Sequence, residues 1–250
     1  MERFDVNCVI GPWPTGGPTL ADGDQLLAAM DRLGIACALV RHTAAIHYAA
    51  SEGNAQLTEV LELCRDGKDR LLPCWAAAPP ATGELGPLDA WLDSLAQHEV
   101  RAISLYPQSH GYPLAPWQLN KLLHPLNERR VVILVETAQA AWNDLHWLCG
   151  EHPGLPVVVL ETGYRVLRPL MALLEAHENL HVDVSTMSNF YGIETLCRRF
   201  GAGRLLFGTG QPRTDGAGVV SALNYARLSA EEVEAISWGN LERLLEEVRL

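Results

Sequence analysis

The sequence predicts an α/β fold consisting of a single (β/α)8 barrel, also called a TIM barrel, and three observations support this prediction. Short apolar runs alternate with longer amphipathic stretches along the 250 residues. The apolar runs are nearly continuous, as in Val-Val-Ile-Leu-Val at 131–135, which is typical of parallel strands buried on both faces. Eight such repeats favour a closed barrel, and the chain has the usual length of one barrel.

Each predicted element follows from a local pattern. The predicted strands are the apolar runs at 4–10, 35–41, 70–77, 100–106, 131–136, 156–161, 180–185 and 204–209. The predicted helices are the stretches with apolar residues at helical spacing, at 24–33, 54–64, 87–98, 115–129, 138–151, 165–177, 190–200 and 229–247. Ser229 followed by Glu232 forms a capping box at the start of the last helix. The chain shows no linker, no repeat and no GxGxxG after the first strand, so we expect one domain over 1–250.

Composition excludes several classes of function. The chain has 30 acidic and 19 basic residues, a formal charge of −11, and this argues against binding to nucleic acid or to an anionic membrane. No apolar run approaches the ~20 residues that span a bilayer, and the N-terminus does not resemble a signal peptide. The six cysteines include no CxxC pair, which is typical of buried, reduced thiols. We therefore expect a cytoplasmic protein.

Fragments at the predicted strand ends resemble one family over nearly the whole chain. They are Arg-Leu-Leu-Pro-Cys-Trp at 70–75, Val-Arg-Ala-Ile-Ser-Leu-Tyr-Pro at 100–107, Leu-Phe-Gly-Thr at 206–209 and Gly-Asn-Leu-Glu-Arg-Leu-Leu at 239–245. In this order and spacing they resemble the amidohydrolase-related TIM barrels, a family that includes metal-dependent hydrolases, lactonases and decarboxylases. The resemblance implies an active site at the C-terminal ends of the strands.

The resemblance also implies where metal ligands would lie. Members of the family place two His at the end of strand 1, one His after strand 5, one after strand 6, and an Asp after strand 8; the metal polarises a carbonyl or activates water. These positions correspond to Asn7, Val9, Glu136, Glu161 and Gly210. Because imidazole is absent from all of them, we expect a divergent member with a degenerate metal site and no bound zinc. Relatives that act without metal keep the strand-8 acid, which Gly210 lacks.

Glu136 and Glu161 are the candidate catalytic residues, and three interpretations of them stay open. Each closes an apolar strand, in Leu-Val-Glu-Thr and Val-Leu-Glu-Thr. Two carboxyl groups in one partly desolvated mouth should titrate jointly, with one pKa raised, which suits general acid/base catalysis. A hard cation such as Mg²⁺ or Ca²⁺ held by Asn7, Glu136 and Glu161 is the second interpretation. In the third, each carboxylate accepts structural hydrogen bonds and closes the barrel.

Other polar and aromatic residues near the strand ends are candidates for binding a small molecule. Arginine and aromatic side chains suit a planar or carboxylated ligand, and the same positions are also ordinary packing positions. The candidate substrate-binding residues are Asn7, Arg41, His42, Tyr106, Tyr164 and Arg213. Trp13 and Trp75 are expected at the same mouth. Trp142 and Trp147 lie on one helix, where they either form a homodimer face or cover the barrel.

These observations favour a hydrolase, or a lyase-like enzyme, that acts on a small molecule without the usual zinc site and uses the Glu pair as general acid and base. The rival interpretation is a non-catalytic barrel that binds a small ligand or a partner protein. Site polarity separates the two. An enzyme should show a polar, pre-organised cleft around Glu136 and Glu161, whereas a pseudoenzyme should have that cleft filled by side chains such as Trp13 or Trp75.

Overall fold

The computed structural model describes residues 1–14 and 16–250, and it confirms the (β/α)8 barrel. Eight parallel strands follow one another around a single sheet in chain order. They are β1 (Phe4–Ile10), β2 (Cys37–His42), β3 (Leu71–Ala77), β4 (Ala102–Leu105), β5 (Val132–Glu136), β6 (Val157–Leu160), β7 (Leu180–Asp183) and β8 (Leu205–Leu206). Nearly every strand residue is buried, as expected for a parallel sheet that is covered by helices.

The barrel closes between β1 and the segment that follows β8. The sequence predicts a last strand over 204–209, but regular pairing with β7 ends at Leu206. Beyond that residue the chain turns toward β1. The Val6 amide donates to the Phe207 carbonyl at 3.0 Å, and the Gly210 amide donates to the Asn7 carbonyl at 3.0 Å. The place of an eighth full strand in the barrel is therefore taken by the short strand β8 and by the irregular segment that follows it. This segment leads to the mouth of the barrel.

The helices are α1 (Gly23–Leu33), α2 (Thr43–His47), α3 (Ala50–Leu63), α4 (Leu88–Gln97), α5 (Pro116–Glu128), α6 (Trp142–Glu151), α7 (Leu167–Ala176), α8 (Gly192–Phe200), α9 (Gly216–Asn224), α10 (Ala230–Glu234) and α11 (Asn240–Glu246). The sequence does not predict α2, which is too short to show periodicity, or α9, in which Gly216 and Gly218 lower helix propensity. No helix in the described part of the chain combines the length and hydropathy needed to cross a bilayer.

The predicted helix over 229–247 is interrupted. Its N-terminus has the predicted capping box, because the Ser229 amide donates to Glu232 and the Glu232 amide donates back to the Ser229 hydroxyl. A π-helical turn, Ala235–Gly239, then separates α10 from α11. The Ile236 carbonyl in this turn accepts from the Phe207 amide at 2.9 Å. The π-helical turn between α10 and α11 is therefore hydrogen-bonded to the segment that follows β8. That segment leads to the mouth of the barrel.

The tryptophans expected near the mouth do not all lie there. Trp75 lies within β3, and its ring is 5.2 Å from the ring of His98 at the end of α4. The expectation that Trp75 lines the mouth is therefore wrong, because its side chain faces the helical layer. Trp142 and Trp147 are partly buried and pack against the core, so they cover part of the barrel.

Candidate active site at the barrel mouth

A buried arginine joins three strands beneath the mouth. Arg41, near the end of β2, is 1% exposed. Its Nη1 donates to Glu136 Oε1 at 2.7 Å and to the Tyr106 hydroxyl at 3.3 Å. Its Nη2 donates to Asn7 Oδ1. Side chains from β1, β5 and the end of β4 therefore converge on a single guanidinium.

A second arginine joins the two candidate catalytic carboxylates. Arg213 lies in the loop after β8, and its Nη2 donates to Glu136 Oε1 at 3.1 Å and to Glu161 Oε1. Its guanidinium lies 5.1 Å from the ring centroid of Trp13, and Trp13 in turn packs against the ring of His47. The prediction that strands 5 and 6 bring both carboxylates to one mouth is consistent with this arrangement.

The two carboxylates have opposite pKa shifts. Burial tends to raise the pKa of Glu136, but Arg41 and Arg213 outweigh it and hold that pKa below its ordinary value. Burial and then the negative charge of Glu136 raise the pKa of Glu161 to about 7. One carboxyl is therefore held as a carboxylate, and the other changes its protonation near neutral pH.

The backbone of Glu161 is also unusual. Its φ of 56° lies in the left-handed region, which non-glycine residues rarely adopt. The following turn is held by neighbouring strand ends, because the Thr137 hydroxyl donates to the Glu161 carbonyl at 2.8 Å and the Gly163 amide donates to the Thr186 hydroxyl at 2.9 Å. Such conformations persist only where the surroundings fix them, and they cluster at functional sites.

A third acid supports the site from below. Asp183, the last residue of β7, is fully buried, and its Oδ2 accepts from Asn7 Nδ2 at 2.9 Å. The Ser185 amide donates to its Oδ1 at 2.8 Å. Burial raises the pKa of Asp183 to about 6. The side-chain amide of Asn7 donates to Asp183 and accepts from Arg41. It therefore connects the Asp183 carboxyl group to the Arg41 guanidinium.

A fourth acid closes the barrel beside the site. The carboxylate of Asp5 in β1 accepts from the backbone amides of Asn7 and Thr209, both at 2.9 Å, so it bridges β1 and the segment after β8. The Cys8 thiol also donates to Asp5, at 3.1 Å. Cys8 is buried, and burial raises the pKa of its thiol well above the ordinary value. A buried, free thiol at Cys8 agrees with the sequence prediction of buried, reduced cysteines.

Two of the predicted substrate-binding residues lie apart from this cluster. His42 follows Arg41 on the strand and so faces the other way; its Nδ1 accepts from the Ala44 amide and caps α2. Tyr164 is 57% exposed, and its hydroxyl accepts from Arg165 Nε at 2.9 Å. The predicted residues that the structure joins by hydrogen bonds are Asn7, Arg41, Tyr106, Glu136, Glu161 and Arg213.

Sequence reasoning missed Asp5 and Asp183, although the sequence contains a signal for both. Each is an isolated acid within an otherwise apolar strand, in Phe-Asp-Val at 4–6 and Val-Asp-Val at 182–184. A buried carboxyl group is costly unless it is hydrogen-bonded, so an acid in such a run indicates a polar network. Asp5 and Asp183 lie before the C-terminal ends of the predicted strands 4–10 and 180–185, whereas the active site of such a barrel is expected at those ends.

The side chains of the mouth do not fit a bound metal ion. Among residues 1–14 and 16–250, no three His, Cys, Asp or Glu side chains are grouped to hold one. The oxygens that a hard cation would use, Asn7 Oδ1 and Glu136 Oε1, accept hydrogen bonds from Arg41 instead. Val9 supplies no donor atom. The arrangement of Asn7, Glu136 and Glu161 considered above as a Mg²⁺ or Ca²⁺ site is thus built around two guanidinium groups.

Comparison with known proteins places this barrel in a family. The amidohydrolase family model matches residues 19–246, and the chain belongs to that family. No curated protein sequence matches the chain.

Solved structures share the fold at low sequence identity. A 5-carboxyvanillate decarboxylase from Novosphingobium aromaticivorans, complexed with manganese and 4-hydroxy-3-methoxy-5-nitrobenzoic acid, has a TM-score of 0.77 and 13% identity, covering 98% of this chain and 96% of that one. An uncharacterized TIM-barrel protein from Bordetella bronchiseptica has a TM-score of 0.76 and 15% identity, covering 99% of each chain. A 2,6-dihydroxybenzoate decarboxylase from Rhizobium has a TM-score of 0.68 and 18% identity, covering 98% of each chain.

Proposed function

We propose that this amidohydrolase-family barrel is a small-molecule enzyme of the hydrolase or lyase type in which Glu136 and Glu161 work as an acid/base pair without zinc. The observation that carries the proposal is the split of their pKa values within one hydrogen-bonded cluster. Glu136 is held as a carboxylate, whereas Glu161 has a pKa of about 7. Pairs of carboxyl groups whose environments separate their pKa values are typical of acid/base sites.

The two residues have different roles in this proposal. Glu161 transfers the proton: its neutral carboxyl donates to the substrate atom that gains negative charge, and the resulting carboxylate is stabilised by Arg213. Its side chain is 21% exposed, so water can return the proton after turnover. Glu136 is 4% exposed and keeps its charge, which sets the pKa of Glu161 and the position of Arg213.

The remaining polar groups of the cluster hold the substrate and orient the acids. Burial raises the pKa of Tyr106 to about 12, so its hydroxyl stays neutral at working pH. Arg213 is 34% exposed and is the cation of the cluster that an anionic or strongly polar substrate reaches first. In the decarboxylases of similar fold the substrates are aromatic acids by name, so planar carboxylic acids are the first compounds to test.

A substrate screen with matched glutamine variants tests the proposal. The protein is assayed against hydroxylated aromatic acids for CO2 release and against lactones and amides for hydrolysis. For any compound turned over, E161Q should lower kcat about 10²–10⁴-fold, as the removal of a general acid or base does. E136Q should lower kcat and shift the pH optimum. Unchanged rates in both variants would contradict the proposal.

Glu247 provides the matched control. Like Glu136, it accepts hydrogen bonds from two arginines, Arg130 at 2.6 Å and Arg243 at 3.4 Å, but it lies at the C-terminal end of α11, outside the hydrogen-bonded cluster at the mouth. E247Q therefore removes a comparable ion pair and should leave kcat unchanged.

One observation favours the second candidate, a barrel that binds a ligand without turnover. Arg213 caps Glu136 and Glu161 and contacts the Trp13 ring, so side chains occupy part of the mouth. A ligand from the same panel that binds stoichiometrically in calorimetry but is never converted, and whose affinity falls in R213Q, would support this candidate.

The small-molecule partner is part of these proposals. The cytoplasmic location and the lack of nucleic-acid or membrane partners stay predictions, and a homodimer stays one of the two alternatives considered for Trp142 and Trp147. Size-exclusion chromatography with light scattering tests the oligomeric state directly.

A further inference from the structure

We propose that the Arg41 guanidinium is the resident cation of this barrel: it binds the oxygen atoms that a metal ion would use, and it excludes divalent cations from the mouth. The inference concerns cation binding, and it stands whether or not Glu161 transfers a proton. In this proposal the zinc site is not only missing: the Arg41 side chain takes the structural place of the metal ion.

The hydrogen bonds that Arg41 donates support this proposal. Asn7 Oδ1 and Glu136 Oε1 are side-chain oxygens from β1 and β5, and each accepts from a different nitrogen of the same guanidinium. The Tyr106 hydroxyl adds a third oxygen at 3.3 Å from Nη1. A planar group with five N–H donors can bind oxygens from several directions at once, as a metal ion does.

The burial of Arg41 and its partners also supports the proposal. Arg41 is 1% exposed, Asn7 is fully buried and Glu136 is 4% exposed. A charge at this depth must be paired and hydrogen-bonded, and the Glu136 carboxylate pairs this one at 2.7 Å. Guanidinium keeps its proton at any physiological pH and is weakly hydrated, which suits a permanent buried cation better than an ammonium group.

A second cation would compete with arginine for the carboxylate oxygens and would meet unfavourable charge here. Glu136 Oε1 is shared with Arg213, which also binds Glu161 Oε1. A divalent ion would have to displace both guanidinium groups, or sit beside them at strong electrostatic cost. The Asn7, Glu136 and Glu161 oxygens are thus a potential cation site that arginine already occupies.

Removing the guanidinium should therefore create a metal site. R41A leaves the buried Glu136 carboxylate without its main partner, with the Asn7 oxygen and Glu161 nearby and with space where the side chain stood. After treatment with EDTA, millimolar MnCl2 or MgCl2 should raise the Tm of R41A by about 5–11 °C, the shift that binding at roughly a hundred times Kd gives in a chain of this size. The wild-type Tm should not change.

Two controls make the gain specific. R41A/E136Q removes the carboxylate along with the arginine and should lose the cation-dependent shift. R213A removes the other arginine on Glu136 but keeps Arg41, and it should show no shift. A folded R41A whose Tm does not respond to either cation would overturn the proposal, as would a shift of equal size in R213A.

The wild-type protein gives a second test that does not depend on whether R41A folds. Purified protein should contain substoichiometric divalent metal by mass spectrometry, and EDTA should leave its Tm unchanged. A stoichiometric zinc or manganese ion, or a Tm that falls on chelation, would overturn the proposal. Neither experiment measures turnover, so failure of the proposed acid/base function would appear separately, as unchanged rates in E161Q.

Discussion

Arg41 and Glu136 form an ion pair of 2.7 Å in which the side chains are only 1% and 4% exposed. The pair joins β2 to β5 across the barrel, and Glu136 also accepts from the more exposed Arg213 at 3.1 Å. The stability of the mouth and its acid/base behaviour both depend on this buried pair, because it fixes the charge state of Glu136.

Breaking the pair on one side should be much more destabilising than removing both partners. R41M leaves the buried Glu136 carboxylate with only the more exposed Arg213 as a charged partner and should lower the free energy of unfolding by about 3–5 kcal/mol. R41M/E136Q should recover much of that loss. R213Q removes a partly exposed arginine and should cost only about 0–1 kcal/mol. With R213Q compared separately, urea denaturation of the wild type, R41M, E136Q and R41M/E136Q measures the coupling; additive losses would show that the two residues do not interact.

Glu161 and Asp183 should contribute less to stability as the pH rises toward neutrality, because both acids bind protons more tightly in the folded chain. Glu161 has a pKa of about 7 and Asp183 of about 6, against about 4 when unfolded. Between about pH 4 and pH 7 these two groups hold more protons in the native state, so their contribution to the free energy of unfolding decreases with pH in that window, whereas His181, whose pKa burial lowers to about 3, contributes in the opposite direction. Glu136, whose pKa is lowered, has the opposite effect at lower pH.

Urea denaturation at pH 5, 6 and 7 checks this dependence. Relative to the wild type, E161Q should make the change in the free energy of unfolding with pH more positive by up to about 1.4 kcal/mol per pH unit, because it removes the contribution of Glu161. E247Q is the control, since the pKa of Glu247 is lowered and that residue affects stability only at lower pH. Parallel pH profiles for the wild type and E161Q would contradict the raised pKa of Glu161.

Gly208 should not tolerate a side chain. A Cβ at this position would lie 2.3 Å from Asp183 Oδ1 and 3.2 Å from the Asn7 Cβ, so G208A would displace the carboxylate that holds Asn7. We expect a loss of about 1–3 kcal/mol in the free energy of unfolding, typical of overpacking.

Gly218 in α9 is the matched control, because a Cβ there meets nothing within 4 Å. G218A should be neutral or stabilising by up to about 1 kcal/mol, since alanine has the higher helix propensity. Thermal unfolding followed by circular dichroism compares the two variants. Equal Tm values for G208A and the wild type would show that the contact between Gly208 and Asp183 is relaxed in solution.

The parts of the fold that depend on local pattern were predictable from the sequence. Continuous apolar runs such as that of β5 located the strands, and the Ser229–Glu232 capping box located α10. The short α2 and the Gly-containing α9 were missed because neither has a distinct periodicity. The π-helical turn depends on a tertiary hydrogen bond to Phe207, which no local pattern encodes.

Six of the hydrogen-bonded residues at the mouth were among the sequence candidates, but Asp5, Asp183 and the connections between side chains were not predicted. The ends of β5 and β6 pointed to Glu136 and Glu161, and the neighbouring strands pointed to Arg41. Which arginine binds which carboxylate depends on side-chain geometry across the barrel, and the sequence does not determine it. His42 shows the limit clearly: it is adjacent to Arg41, but strand alternation turns it to the opposite face, where it caps α2.

The proposed acid/base function requires Glu161 to change its protonation near neutral pH, and NMR titration of the ¹³C-labelled carboxyl groups measures this directly. E161Q identifies the resonance. The wild type should titrate with a pKa near 7, and in E136Q this pKa should fall by a unit or more, because the neighbouring negative charge is gone and Arg213 is then unshared. A wild-type Glu161 that titrates with a pKa of about 4.3, the value of an exposed glutamate, would contradict the proposed role of this residue.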